Sequence, residues 1–135
     1  MKVLFYTGPA EENGEKIQSV VEALVPKQKI EIYRTTKTLS QRLRRPIGSL
    51  TLAVLFTATQ EDFQDLLSLH DLLCDLRIVL ILPDRDTETV SKGLTLRPRF
   101  FSFADSDFTE VSAVLAKMLK VYSEKSTIGK SNGKS

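Results

Sequence analysis

The chain has no tryptophan, one cysteine and one histidine in 135 residues. A single thiol, Cys74, excludes an internal disulfide and any multi-cysteine metal cluster. With His70 it supplies only two strong ligands, short of a stable zinc site. A dominant charge is missing too: 19 Lys and Arg stand against 17 Asp and Glu, a formal net charge of +2. Lys125, Lys130 and Lys134 against Glu124 account for that excess, so the rest is close to neutral. No field there draws nucleic acid or an anionic membrane. The longest apolar runs, 52–56 and 78–83, fall far short of the roughly 20 residues a membrane-spanning helix needs. After Met1-Lys2-Val3-Leu4-Phe5, the sequence turns at once to Gly8, Pro9, Glu11 and Glu12, too soon for a signal peptide. The expectation is a cytoplasmic protein with neither nucleic acid nor membrane as partner.

What is present is an ordinary globular composition, 41% apolar and 27% charged, long enough for one domain with a real core. Strand-like runs at 3–6, 30–33, 50–56, 78–82 and 100–103 alternate with helix-like segments. Val3-Leu4-Phe5-Tyr6 is continuously apolar, as a strand covered on both faces should be. Ile17, Val20, Val21 and Leu24 then follow helical spacing, with Asn13 as cap and Pro26 as stop. Ile30-Glu31-Ile32-Tyr33 alternates like an edge strand, and 38–45 is a short helix anchored by Leu39 and Leu43. The run 50–56 is the longest and belongs at the centre of the sheet. Thr59 caps a long helix whose buried face is Phe63, Leu66, Leu67, His70, Leu73 and Cys74. The segment 87–92 is the weakest helix, broken by Gly93. Asp107 caps the last one, which faces inward through Val111, Val114, Leu115, Met118, Leu119 and Tyr122. Residues 123–135 hold one large aliphatic side chain, Ile128, and read as a disordered tail after a single domain at 1–122.

Strands joined by helical segments of about a dozen residues imply βαβ crossovers and a parallel sheet. The expected fold is a three-layer α/β/α sandwich with five parallel strands in the flavodoxin-like order 2-1-3-4-5. In such a sheet, ligands gather at the carboxyl ends of the strands. Those ends read Thr7-Gly8-Pro9, Arg34-Thr35-Thr36, Thr57-Ala58-Thr59, Pro83-Asp84 and Ala104-Asp105.

In length, cadence and central third strand, residues 2–122 resemble the receiver domains of bacterial two-component response regulators, in pattern and not in motif. The resemblance implies an acidic pair after strand one, a phosphoacceptor aspartate ending strand three, a Ser or Thr ending strand four and a lysine ending strand five. The carboxylates would hold Mg²⁺, and the hydroxyl and lysine would meet the phosphoryl oxygens. This chain has Gly8, Thr57, Pro83 and Ala104 at those places. The nearest acids are Glu11, Glu12 and Asp62, and the nearest lysines Lys92 and Lys117. A degenerate receiver of this kind implies a non-catalytic interaction module in bacterial signalling, meeting a protein partner or a second copy of itself.

Asp84, Asp86, Asp105 and Asp107 follow two strand ends and are oxygen ligands by type, but Asp86 and Asp107 also fit as helix caps. The stretch 6–14 invites comparison with the phosphate loop of flavodoxins. Pro9 removes a backbone donor there and Glu11 and Glu12 repel an anion, so neither FMN nor any other cofactor is expected. His70 and Cys74, one helical turn apart, have the spacing of a nucleophile and its base, but their leucine neighbours favour a packed structural pair. Arg34, Lys37, Arg42, Arg44 and Arg45 form one basic stretch, either a solvated face or a dock for an acidic partner. The face that receivers use for partners would hold Leu94, Leu96, Phe100, Phe101, Val114, Met118 and Tyr122. The segment around Leu94 and Leu96 is too short to bury both.

Overall fold

The computed structural model describes residues 2–8, 12–46, 48 and 50–131; for 12–13, 50–51 and 122–131 it describes the backbone alone. The elements run β1 (Lys2–Tyr6), α1 (Glu12–Leu24), β2 (Ile30–Tyr33), α2 (Thr36–Leu43), β3 (Leu50–Phe56) and α3 (Gln60–Leu67). After them come α4 (His70–Leu73), β4 (Arg77–Leu82), α5 (Thr87–Leu94), β5 (Phe100–Phe103) and α6 (Thr109–Ser131). All five strands are parallel and lie in the order β2-β1-β3-β4-β5. This is the expected flavodoxin-like arrangement, with β3 at the centre and β2 at an edge.

Successive strand side chains point to opposite faces, so an apolar run feeds two cores. Leu4, Tyr6, Ala53, Leu55, Ile78, Leu80 and Leu82 pack on one side against Leu39 and Leu43 of α2, Phe63 and Leu66 of α3, and Leu69, Leu73, Leu76 and Leu96. Val3, Phe5, Leu52, Val54, Phe56, Val79 and Ile81 pack on the other against Ile17 and Val21 of α1 and Val111 and Leu115 of α6. Each such side chain contributes about 1.5–3 kcal/mol by leaving water.

The long third helix is in fact two. The chain turns at Ser68 and Leu69, where Leu69 N–H reaches back to the Leu66 carbonyl and Ser68 Oγ donates to that of Asp65. The inward face becomes Phe63, Leu66, Leu69, Leu73 and Leu76, all buried, while His70 and Cys74 are exposed. This corrects the expected face, for a physical reason: the turn buries two more leucines and leaves an imidazole and a thiol in water.

Other ends shift for local reasons. Asn13 lies inside α1, which begins at Glu12, and so does not cap it. Thr35 caps α2 by accepting from Thr38 N–H at 3.1 Å, and Thr59 caps α3 by accepting from Asp62 N–H at 3.1 Å. Gly93 does not break α5: its missing side chain lets the helix approach the sheet, where a Cβ would lie 2.9 Å from Leu82 Cδ2. The α6 backbone stays helical to Ser131, past the expected end of the domain at 122.

Candidate functional site

The carboxyl end of the sheet is closed by its own residues. Thr57 Oγ1 donates to the Ile81 carbonyl at 2.6 Å, and Thr57 N–H bonds the same carbonyl at 3.0 Å. The hydroxyl that ends β3 is thus committed to holding β3 and β4 together.

Between β1 and β3 the chain leaves in opposite directions, and the crevice there is where a parallel sheet offers a site. Gly8 takes φ +68°, and a Cβ on it would lie 3.0 Å from Asp62 Oδ2. The first turn of α3 thereby brings a carboxylate over the end of β1, a neighbour that sequence order conceals. Burial raises the Asp62 carboxyl above its ordinary value; a bond from Thr59 opposes this, and the charges of Asp65 and Glu61 add to it. Burial also pushes the Tyr6 hydroxyl up to about 12, with Asp62 and Asp65 reinforcing it. Next along the chain, the Thr7 hydroxyl is buried without a hydrogen-bond partner among the described residues. It packs so close to the α1 backbone that a Cβ on Gly14 would lie 2.5 Å from it. Tyr6 faces the α3 side of the sheet with Asp62, whereas the Thr7 hydroxyl faces the α1 side, so these groups do not form a pair of acids.

Three of the four aspartates of the later loops, Asp84, Asp105 and Asp107, hold local bonds. Gln60 Nε2 donates to Asp84 Oδ2 at 2.6 Å and to Thr89 Oγ1 at 2.8 Å, while Asp86 N–H donates to Asp84 Oδ1 at 3.0 Å. Bonds from Thr89, Gln60 and the Asp86 amide hold the Asp84 carboxyl below its ordinary value. Asp86 stands at the cap position of α5, but its side chain makes no capping bond; Asp84 tightens that turn instead. Asp105 accepts from Arg85 Nη2 at 2.8 Å, and the Arg85 guanidinium lies over the Phe103 ring at 4.2 Å. Asp107 accepts from Thr109 N–H at 3.0 Å, which lowers its carboxyl. Among the described residues no group of three His, Cys, Asp or Glu is placed to hold a metal ion.

The basic stretch does not form one patch. Arg34 donates to Gln18 of α1 at 3.2 Å, whereas Arg42 turns to the β2 edge and meets Glu31 Oε1 at 2.7 Å. Lys37, Arg44 and Arg45 point to solvent. Partial burial pushes the Glu31 carboxyl up, but bonds from Arg42 and Tyr33 and the charges of Arg42 and Lys2 bring it below its ordinary value.

Of the residues read as a partner face, Leu94 is 50% exposed while Leu96 is 6% exposed and belongs to the core. Leu96 is therefore not at the surface, whereas Leu94 is. Phe101 and Met118 are half-buried, Val121 is exposed, and the side chain of Tyr122 lies outside the described residues. His70 and Cys74 look outward separately: the imidazole Nε2 donates to the Thr95 carbonyl at 3.0 Å, and Cys74 Sγ donates to the Asp71 carbonyl at 3.3 Å.

No family model, curated protein or solved structure matches the chain. No helix among the described residues is long and apolar enough to cross a membrane.

Proposed function

We propose that the chain is a non-catalytic, receiver-like module that binds a protein partner, or a second copy of itself, in bacterial signalling or regulation. The observation that supports this most is where the polar groups at the strand ends are spent. The Thr57 hydroxyl, Asp84 and Asp105 each bond to a neighbouring strand or loop, which gives each of them a structural role. A reacting group needs a partner within reach, and among the described residues Asp62 is the carboxylate that lies against Gly8 at the end of β1. Of the exposed large apolar side chains, Leu94 on α5 and Val121 on α6 belong to the helices that flank the edge strand β5, and Ile32 lies on the opposite edge strand β2.

Replacing Leu94 and Val121 together by Asp tests this reading in a cross-linking and co-purification assay with the full chain. The expected result is a defined complex, hetero or homo, lost in that variant and kept when Lys37 and Arg44 are changed to Glu. A complex that survives both aspartates, or no complex with the unaltered chain, contradicts the reading.

A further inference from the structure

The opposite end of the sheet, at the amino ends of β4 and β5, carries an arrangement with no counterpart in the reading above. Two adjoining hollows share Cys74, Leu76 and Arg97. The larger, about 510 Å³, is completed by His70, Thr95 and Leu96; the smaller, about 390 Å³, by Asp75, Arg77 and Arg99. Leu76 and Leu96 are buried and give the hollows an apolar floor. The bond from His70 to the Thr95 carbonyl ties α4 to the turn after α5 and fixes one wall.

Three arginines line the smaller hollow because β4 and β5 are neighbours: Arg77 opens one strand and Arg99 directly precedes the other. Among the described residues Arg97 and Arg99 form no ion pair. Arg77 has a partner of its own, and Arg97 and Arg99 bring two positive charges to a lining whose one carboxylate is Asp75. A phosphate monoester carries about −1.5 to −2, of the sign that suits those two cations. Guanidinium forks also fit its oxygens in pairs.

Arg97 carries a second signal. The chain leaves α5 through bonds from Thr95, Leu96 and Arg97 N–H to the carbonyls of Lys92, Gly93 and Leu94. Arg97 closes this turn at φ +54°, the left-handed conformation that glycine takes at helix ends without strain. A long cationic side chain is kept where the backbone favours none, and it lines both hollows.

We infer that these hollows bind a small organic phosphate, its phosphoryl group among Arg77, Arg97 and Arg99 and its body over Leu76 and Leu96. Their combined size lies in the range of small-molecule sites. The occupant is a compact phosphomonoester: of the lining residues only His70 carries a ring, and its Nε2 is tied to the Thr95 carbonyl, so no Phe, Tyr or Trp face is offered to a base.

Titration of the full-length protein with glycerol phosphate, and separately with inorganic phosphate, followed by amide NMR, tests the inference. Saturable shifts are expected at 74–77, 95–97 and 99, with the ester binding more tightly than the bare ion. Arg97→Gly should weaken the ester by at least about tenfold while raising the melting temperature, because it removes a charged contact and relieves the turn. Arg99→Gln should weaken it similarly with no such rise. The binding ratio decides, and melting shows that a loss is not unfolding. Unchanged affinity in both variants, equal affinity for ester and ion, or shifts spread over Lys37, Arg44 and Arg45 overturn the inference.

Discussion

Asp62 shows how a single residue escapes a sequence reading and still governs a site. By position it is the third residue of α3, a favourable place for a carboxylate near a helix start. In space it lies against Gly8, half-buried, with Asp65 and Glu61 adding like charge. Its raised carboxyl pKa means that folding prefers the protonated form. That preference is fully felt below the unfolded value of 3.8 and is lost as pH rises through the higher folded value. At neutral pH the charge therefore costs stability. Asp62→Asn should raise stability at pH 7 modestly, since the group is partly exposed, with the gain vanishing below pH 3.8. Urea denaturation at the two pH values measures this, and a loss of stability at pH 7 would contradict it.

Among the elements, the strands were legible and the helix faces less so. Apolar runs of four to seven residues bounded by Gly, Pro or polar turns leave few alternatives, and each is a strand in the structure. The stretch from Leu66 to Leu76 has leucines at 66, 67, 69, 72, 73 and 76, so more than one helical face reads as apolar. Packing chose the phase that keeps His70 and Cys74 in water, and only a turn at Leu69 achieves it. Gly93 misled in the same way, since in sequence a glycine reads as a break and in space as close approach. A Cβ there would meet Leu82 at 2.9 Å and Leu80 at 3.2 Å, inside a packed core. Ala normally gains up to about 1 kcal/mol over Gly in a helix, but overpacking costs about 1–3 kcal/mol. Gly93→Ala is expected to lower stability by about 1 kcal/mol, read from the thermal midpoint; a rise would show that α5 has room to move outward.

At the scale of the molecule, the sheet order followed from connectivity, edge pattern and the rule that crossovers are right-handed. The candidate site was legible by residue type at the strand ends, because Gly8, Thr57, Pro83 and Ala104 offer neither carboxylate nor ammonium. The approach of Asp62 to Gly8 was hidden, and so was the hollow that Arg77, Arg97 and Arg99 line, since both depend on which strands are neighbours. In the proposed function, the carboxyl end of the sheet holds itself together and the edge beside β5 is the surface that binds. Intact mass after incubation with acetyl phosphate and Mg²⁺ tests that division most directly. An unchanged mass is the expected result, and a phosphoryl adduct on any aspartate at the strand ends would contradict it.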